Sequence, residues 1–170
     1  MSGWSARRFW TTATAVPVEA GFTVHLDARP VRTPLKAPLV LPTRALAEAV
    51  AAEWQAQEGR VDPEAMPFTR TANSAIDKVS PRQAEVAAML AAYGATDLLC
   101  YRAEGPLELV VRQAEAWDPL LDWAAQALGA PLLVTTGVMH VNQPPESLAI
   151  LHRRVSELDP FQLSAFHDLV

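Results

Sequence analysis

The hydrophobic period changes near residue 42, and that change constrains the fold more than any other feature of the chain. Ahead of it, Phe22, Val24 and Leu26 alternate with Thr23 and His25, the period-2 pattern of a half-buried strand. Pro17, Pro30, Pro34, Pro38 and Pro42 punctuate the same stretch. Proline donates no ladder hydrogen bond, so these strands must be short and favour sheet edges. The pattern predicts strands at 9–16, 22–26, 31–33 and 38–41, with turns at 18–21 and 27–30, forming an antiparallel β unit.

Beyond residue 42 the period is helical. Thr43 is placed to N-cap a helix reaching about Gln57, with Leu46, Val50 and Trp54 four apart on one face. A second helix is expected over 68–79. Ser80-Pro81-Arg82-Gln83 reads as a capping box with proline at the first helical position, opening a third helix. Its expected stripe is Val86, Met89, Leu90 and Tyr93, with Gly94 at the C′ position. Residues 95–102 have no assignable period. Helix resumes over 106–116, and Asp118-Pro119 opens a further helix ending at Gly129 or kinks a single one. Two β-like runs flank Gly137, a helix is expected over 146–158, and Asp159-Pro160 starts a last one. Its spacing runs to Val170 without a stop signal, which predicts continuation in a larger protein. The fold class expected is α+β, with a β-rich unit and first helix over 1–66 and a mainly helical domain over 67–170.

Composition narrows the function. Net charge is −5, which disfavours general binding to nucleic acid or anionic membranes. Residues 1–45 hold six cations against Glu19 and Asp27, so the excess negative charge lies entirely in the remainder. No apolar run approaches the roughly 20 residues of a membrane span. The opening MSGWSARRFWTTATA is free of acids like a transit peptide, yet it runs directly into strand-like pattern and is read as mature protein.

The chemistry-bearing residues form no familiar catalytic motif. The seven glycines make neither GxGxxG nor GxxxxGK[ST], so no cofactor is expected. His25, His140, His152 and His167 form no HExxH pair, and no metal is expected. Cys100, the single cysteine, sits in an apolar run and reads as a buried thiol. Asp118 and Asp122 are four apart beside Trp117 and Trp123. Arg70, Asn73 and Asp77 line one helical face, as a surface network or as a recognition face.

The segments RRFW (7–10), LDARPVRTP (26–34), PLVLPTRALAEAVAAEWQAQ (38–57), DPEAMPFTRTANSAIDKV (62–79), ATDLLCYRAEGP (95–106) and QAEAWDPLLDW (113–123) occur in that order. The series resembles the family of assembly chaperones for the α subunit of F-type ATP synthase, the ATP-twelve factors. One departure is Ala28, where the family usually has Gly in a DGRP turn. The resemblance implies a non-enzymatic chaperone that binds unassembled α subunit, shields it from aggregation and delivers it to the α/β hexamer without ATP hydrolysis. Candidate partner-binding residues inside the resembling segments are Arg70, Asn73, Asp77, Asp97, Arg102 and Asp118. The family occurs in mitochondria and α-proteobacteria, and the arginine-rich, lysine-poor composition favours a bacterial cytoplasm over a mitochondrial matrix. The competing class is a small enzyme with a site around Arg70, Asp77, Asp97 and Arg102; a structural subunit is a third.

Overall fold

The computed structural model describes residues 7–169, so readings that rest on residues 1–6 or Val170 lie outside it. The fold is α+β: a small antiparallel sheet near the N-terminus and a mainly helical remainder. The described residues divide into two compact units, one formed by 7–82 with 160–168 and the other by 83–159 with 169. The 66/67 division drawn from the sequence falls inside the first unit.

In the first unit, β1 (Ala13–Val18), β2 (Gly21–Leu26) and β3 (Arg29–Pro30) form a meander, paired Ala13↔Leu26 through Val18↔Gly21 and then Leu26↔Arg29. The first strand starts at Ala13, four residues later than the pattern of 9–16 predicts, because the backbone of Thr11 and Thr12 has another acceptor. Both N–H groups donate to the Asp27 carboxylate, at 2.9–3.2 Å. The expected strands at 31–33 and 38–41 reduce to isolated bridges, Arg32↔Pro38 and Phe22↔Leu41. Pro34 and Pro38 have no N–H to extend a ladder. Gly21 is required where this segment closes on β2. Its φ is +141°, and a Cβ there would collide with the Leu41 carbonyl oxygen, which accepts from Phe22 N–H at 2.9 Å. In the 27–28 loop Asp27 alone has positive φ (+53°), so alanine at 28 carries no left-handed strain.

Helix α1 (Arg44–Gln55) starts as the sequence predicts, with the Thr43 hydroxyl accepting from Leu46 N–H. Its buried face, Ala47, Val50, Ala51 and Trp54, packs on the sheet with Val24, Leu26, Leu39 and Leu41. Trp10 meets Trp54 edge to face, ring centroids 5.3 Å apart. Arg8 closes the other end of α1: its guanidinium donates to the carbonyls of Gln55 (3.0 Å) and Gln57 (2.7 Å), and to those of Trp10 and Thr11. A cation on the last carbonyls of a helix satisfies orphan acceptors and opposes the negative end of its dipole.

Helix α2 (Pro67–Ser74) is followed by a π turn at Ala75–Val79 and a 3₁₀ turn at Ser80–Arg82. The capping box is a correction. Ser80 has helical backbone (φ −53°, ψ −44°) and its N–H bonds the Ala75 carbonyl, so it caps nothing. The wider turn ahead of Pro81 accommodates a residue with no N–H to donate. Helix α6 (Pro160–His167) belongs to this unit, packs on α2 and the π turn, and buries Leu163. It stops at His167, short of the helical spacing expected to continue beyond.

In the second unit, α3 (Gln83–Ala91) packs against α5 (Pro145–Ser156). The expected stripe on α3 is also corrected: Leu90 and Ala87 are buried, but Met89 and Tyr93 are exposed. Gly94 lacks a left-handed φ; it admits the Leu151 side chain, which a Cβ would crowd at 2.9 Å. Between them lie β4 (Tyr101–Arg102), α4 (Leu107–Trp123) with Pro119 inside it, a π turn at Ala124–Leu128, and β5 (Thr135–Thr136), parallel to β4. Asp118 is therefore mid-helix, and a single two-residue strand replaces the two runs expected around Gly137.

Two outcomes follow. Trp54→Ala should lower stability by about 3–5 kcal/mol, the usual cost of removing a buried aromatic, measured by denaturant unfolding. Asp27 is held below its ordinary value of 3.8, chiefly by the Thr12 N–H bond and also by those of Thr11 and the Thr12 hydroxyl, against desolvation. A depressed carboxyl stabilises the fold above its unfolded pKa and loses that contribution as pH falls through the folded one. Asp27→Asn should thus flatten the acid limb of the stability profile below about pH 4, while Asn still tolerates the left-handed φ.

Candidate functional site

Three of the six candidates, Arg70, Asn73 and Asp77, lie on α2 and its π turn. Arg70 is exposed and its guanidinium has no polar partner among the described residues. Asn73 buries its side-chain oxygen without a hydrogen bond. Asp77 is engaged within the unit: it accepts from the Thr33 hydroxyl at 2.6 Å and from Leu35 N–H at 3.1 Å. Thr33 in turn accepts from Ala37 N–H, so Asp77 fixes the 33–37 turn. A related device that sequence reading missed is Glu53. Its carboxylate accepts from the N–H groups of Phe68 and Thr69 and from the Thr69 hydroxyl, at 2.6–2.8 Å. Glu53 thereby caps α2 from another helix, favourably placed at the positive end of the dipole.

The other three come together in the second unit. Asp97 caps the 3₁₀ turn Leu98–Cys100 through Leu99 N–H (2.8 Å). The Leu99 carbonyl accepts from Arg102 Nε at 2.7 Å. Arg102 Nη1 pairs with Asp118 Oδ1 at 2.9 Å, and the guanidinium lies 5.3 Å from the Trp117 ring centroid. Arg102's side chain is 11% exposed and that of Asp118 58%. The node thus presents one carboxylate to solvent and keeps its guanidinium inside, where Nη2 has no partner. Cys100 is buried beside it. Burial, reinforced by the Asp97 carboxylate and partly offset by Arg102, pushes its thiol up, which disfavours the reactive thiolate. No cluster of three or more metal-ligating side chains occurs among the described residues.

The apolar surface of this unit has no signal in any single motif. None of the seventeen residues of α4 is buried, and Leu109, Leu120 and Trp123 (57% exposed) face outward from it. The segment after the π turn adds Leu133, Val134, Val138 (92%) and Met139 (79%). That segment is held by buried polar side chains. The Gln143 amide accepts from Leu133 N–H (2.7 Å) and donates to the Leu133 carbonyl (2.9 Å), and the Ser147 hydroxyl donates to the Pro131 carbonyl (2.7 Å).

The ATP12 chaperone protein family matches residues 7–125, a span that contains the N-terminal sheet, α1 to α4 and all six candidates. This chain belongs to the ATP12 chaperone family. Among solved structures, Atp12 from Paracoccus denitrificans is 58% identical with a TM-score of 0.94, and the match covers 97% of this chain and 71% of that one. A point variant of Atp12p from P. denitrificans matches at the same identity and TM-score, over 70% of its length. A protein from Agrobacterium tumefaciens is 42% identical with a TM-score of 0.90, and this chain spans 62% of it. No helix among the described residues of this ATP12-family chain is long and apolar enough to cross a membrane.

The Arg102–Asp118 pair separates packing from charge. Asp118→Asn should cost about 1 kcal/mol or less, as for a pair with one partner in solvent. Arg102→Ala should cost clearly more, because it also removes the Leu99 carbonyl bond and the contact with Trp117. Thermal melts of the two variants give the comparison.

Proposed function

We propose that this chain is an assembly chaperone that binds the unassembled α subunit of F-type ATP synthase, covers surface that would otherwise aggregate, and delivers it to the α/β hexamer without ATP hydrolysis. The observation that carries this reading is the match of the ATP12 chaperone family to residues 7–125. The exposed apolar residues of α4 and of the 133–139 segment support it, because large apolar side chains left open to solvent on one unit offer contact surface to another chain.

The six candidate residues enter this reading with different parts. Arg70 and Asp118 offer charge to a partner from exposed positions; Asn73 and Arg102 act from within their units, Arg102 by orienting the Asp118 carboxylate. Asp77 and Asp97 position the turns beside them. Release needs no nucleotide: β subunit competing for the surface the chaperone covers displaces it by mass action. The compartment proposed is a bacterial cytoplasm, with the mitochondrial matrix as the alternative.

Light scattering during dilution of denatured α subunit gives the test. The chaperone should suppress aggregation of α near one-to-one stoichiometry, do little for β, and be displaced when β is added. Equal protection of α, β and an unrelated aggregating protein reduces the role to nonspecific holding, and no protection overturns it.

A further inference from the structure

Between the C-terminal half of α4 and residues 131–134 lies an open groove of about 340 Å³. Asp118, Leu121 and Asp122 of α4 and Ala125 of the π turn line one side, and Leu132 and Val134 the other. We propose that this groove is the docking channel for an arginine- or lysine-bearing aliphatic segment of the client chain; the proposal rests on the α-subunit reading above and names the chemistry of the segment taken.

Charge and shape both select that occupant. Asp118 and Asp122 are four residues apart on one helix and present their carboxylates on one face. Arg102 engages a single oxygen of Asp118, and Asp122 is exposed with no partner among the described residues. Two like charges at this spacing repel each other, so an arriving cation relieves repulsion as well as gaining attraction. The rest of the unit adds to the field: residues 83–159 carry ten acids against four arginines and no lysine. The remaining lining is aliphatic, suited to the methylene stem of a long basic side chain whose head group stays at the carboxylates. An acidic segment meets repulsion here, and an uncharged one leaves Asp122 uncompensated.

The test measures binding of purified α subunit to the wild-type chain and three variants at 50 and 300 mM salt. A second arm probes the wild-type chain with overlapping peptides spanning the α sequence. Asp122→Lys and Val134→Asn should each weaken binding at least tenfold at low salt, and Asp122→Lys should flatten the salt dependence. Glu58→Lys makes the same charge change in the other unit and should stay within twofold. Bound peptides should carry Arg or Lys beside Leu, Ile or Val, and Asp122→Lys should abolish their capture. Circular dichroism melts confirm that each variant is folded. If whole α binds but both groove variants stay within twofold of wild type, the groove assignment is overturned and the chaperone reading stands. If whole α does not bind, the chaperone reading falls, and uniform or acidic peptide selection removes the groove as well. A homodimer of the free chain that the groove substitutions dissolve also overturns the assignment, since the occupant is then a second copy.

Discussion

The first unit depends on seating one amphipathic helix on a sheet too small to stand alone. A three-stranded meander whose third strand has two residues buries little surface by itself. Helix α1 supplies the missing layer, and Trp54 against Trp10 fixes where it sits. Arg8 then ties the segment ahead of the sheet to the end of the helix, through carbonyls of Gln55 and Gln57. Apolar area drives the contact, and the guanidinium sets its register.

The sequence reveals those parts of the fold that repeat with a period. Strand β2, the Thr43 cap and the buried face of α1 follow from alternation, capping chemistry and four-residue spacing. Features that depend on one side chain meeting a distant backbone group do not. Asp27 takes the N–H groups of Thr11 and Thr12 and so delays β1; Glu53 caps a helix fifteen residues downstream; Ser80 looks like a cap yet sits within a helical path loosened by a π turn. In each case the partner is a main-chain group that any residue type supplies, so the sequence carries no trace of it.

The candidate residues show the same division. Spacing places Arg70, Asn73 and Asp77 on one face, and the structure assigns Asp77 to holding the 33–37 turn. Nothing in the spacing joins Asp97, Arg102 and Asp118, because Leu99 links the first two through its N–H and its carbonyl, and a direct ion pair joins Arg102 to a residue on a distant helix. The apolar surface on α4 was the least legible. A helix with Leu, Val and Trp reads as core, and only the arrangement of neighbouring elements decides which of those side chains they cover.

The clamp at Leu133 has a consequence for the entropy of association. Gln143 occupies both the donor and the acceptor of that residue, and Ser147 holds the carbonyl of Pro131. Backbone that is fixed before a partner arrives does not have to be ordered by it. Freezing a free residue costs about 1–2 kcal/mol, so over residues 131–134 the saving can match a sizeable share of a micromolar binding free energy. An apolar segment tied down in this way can engage another chain through fewer contacts than a loose one would need.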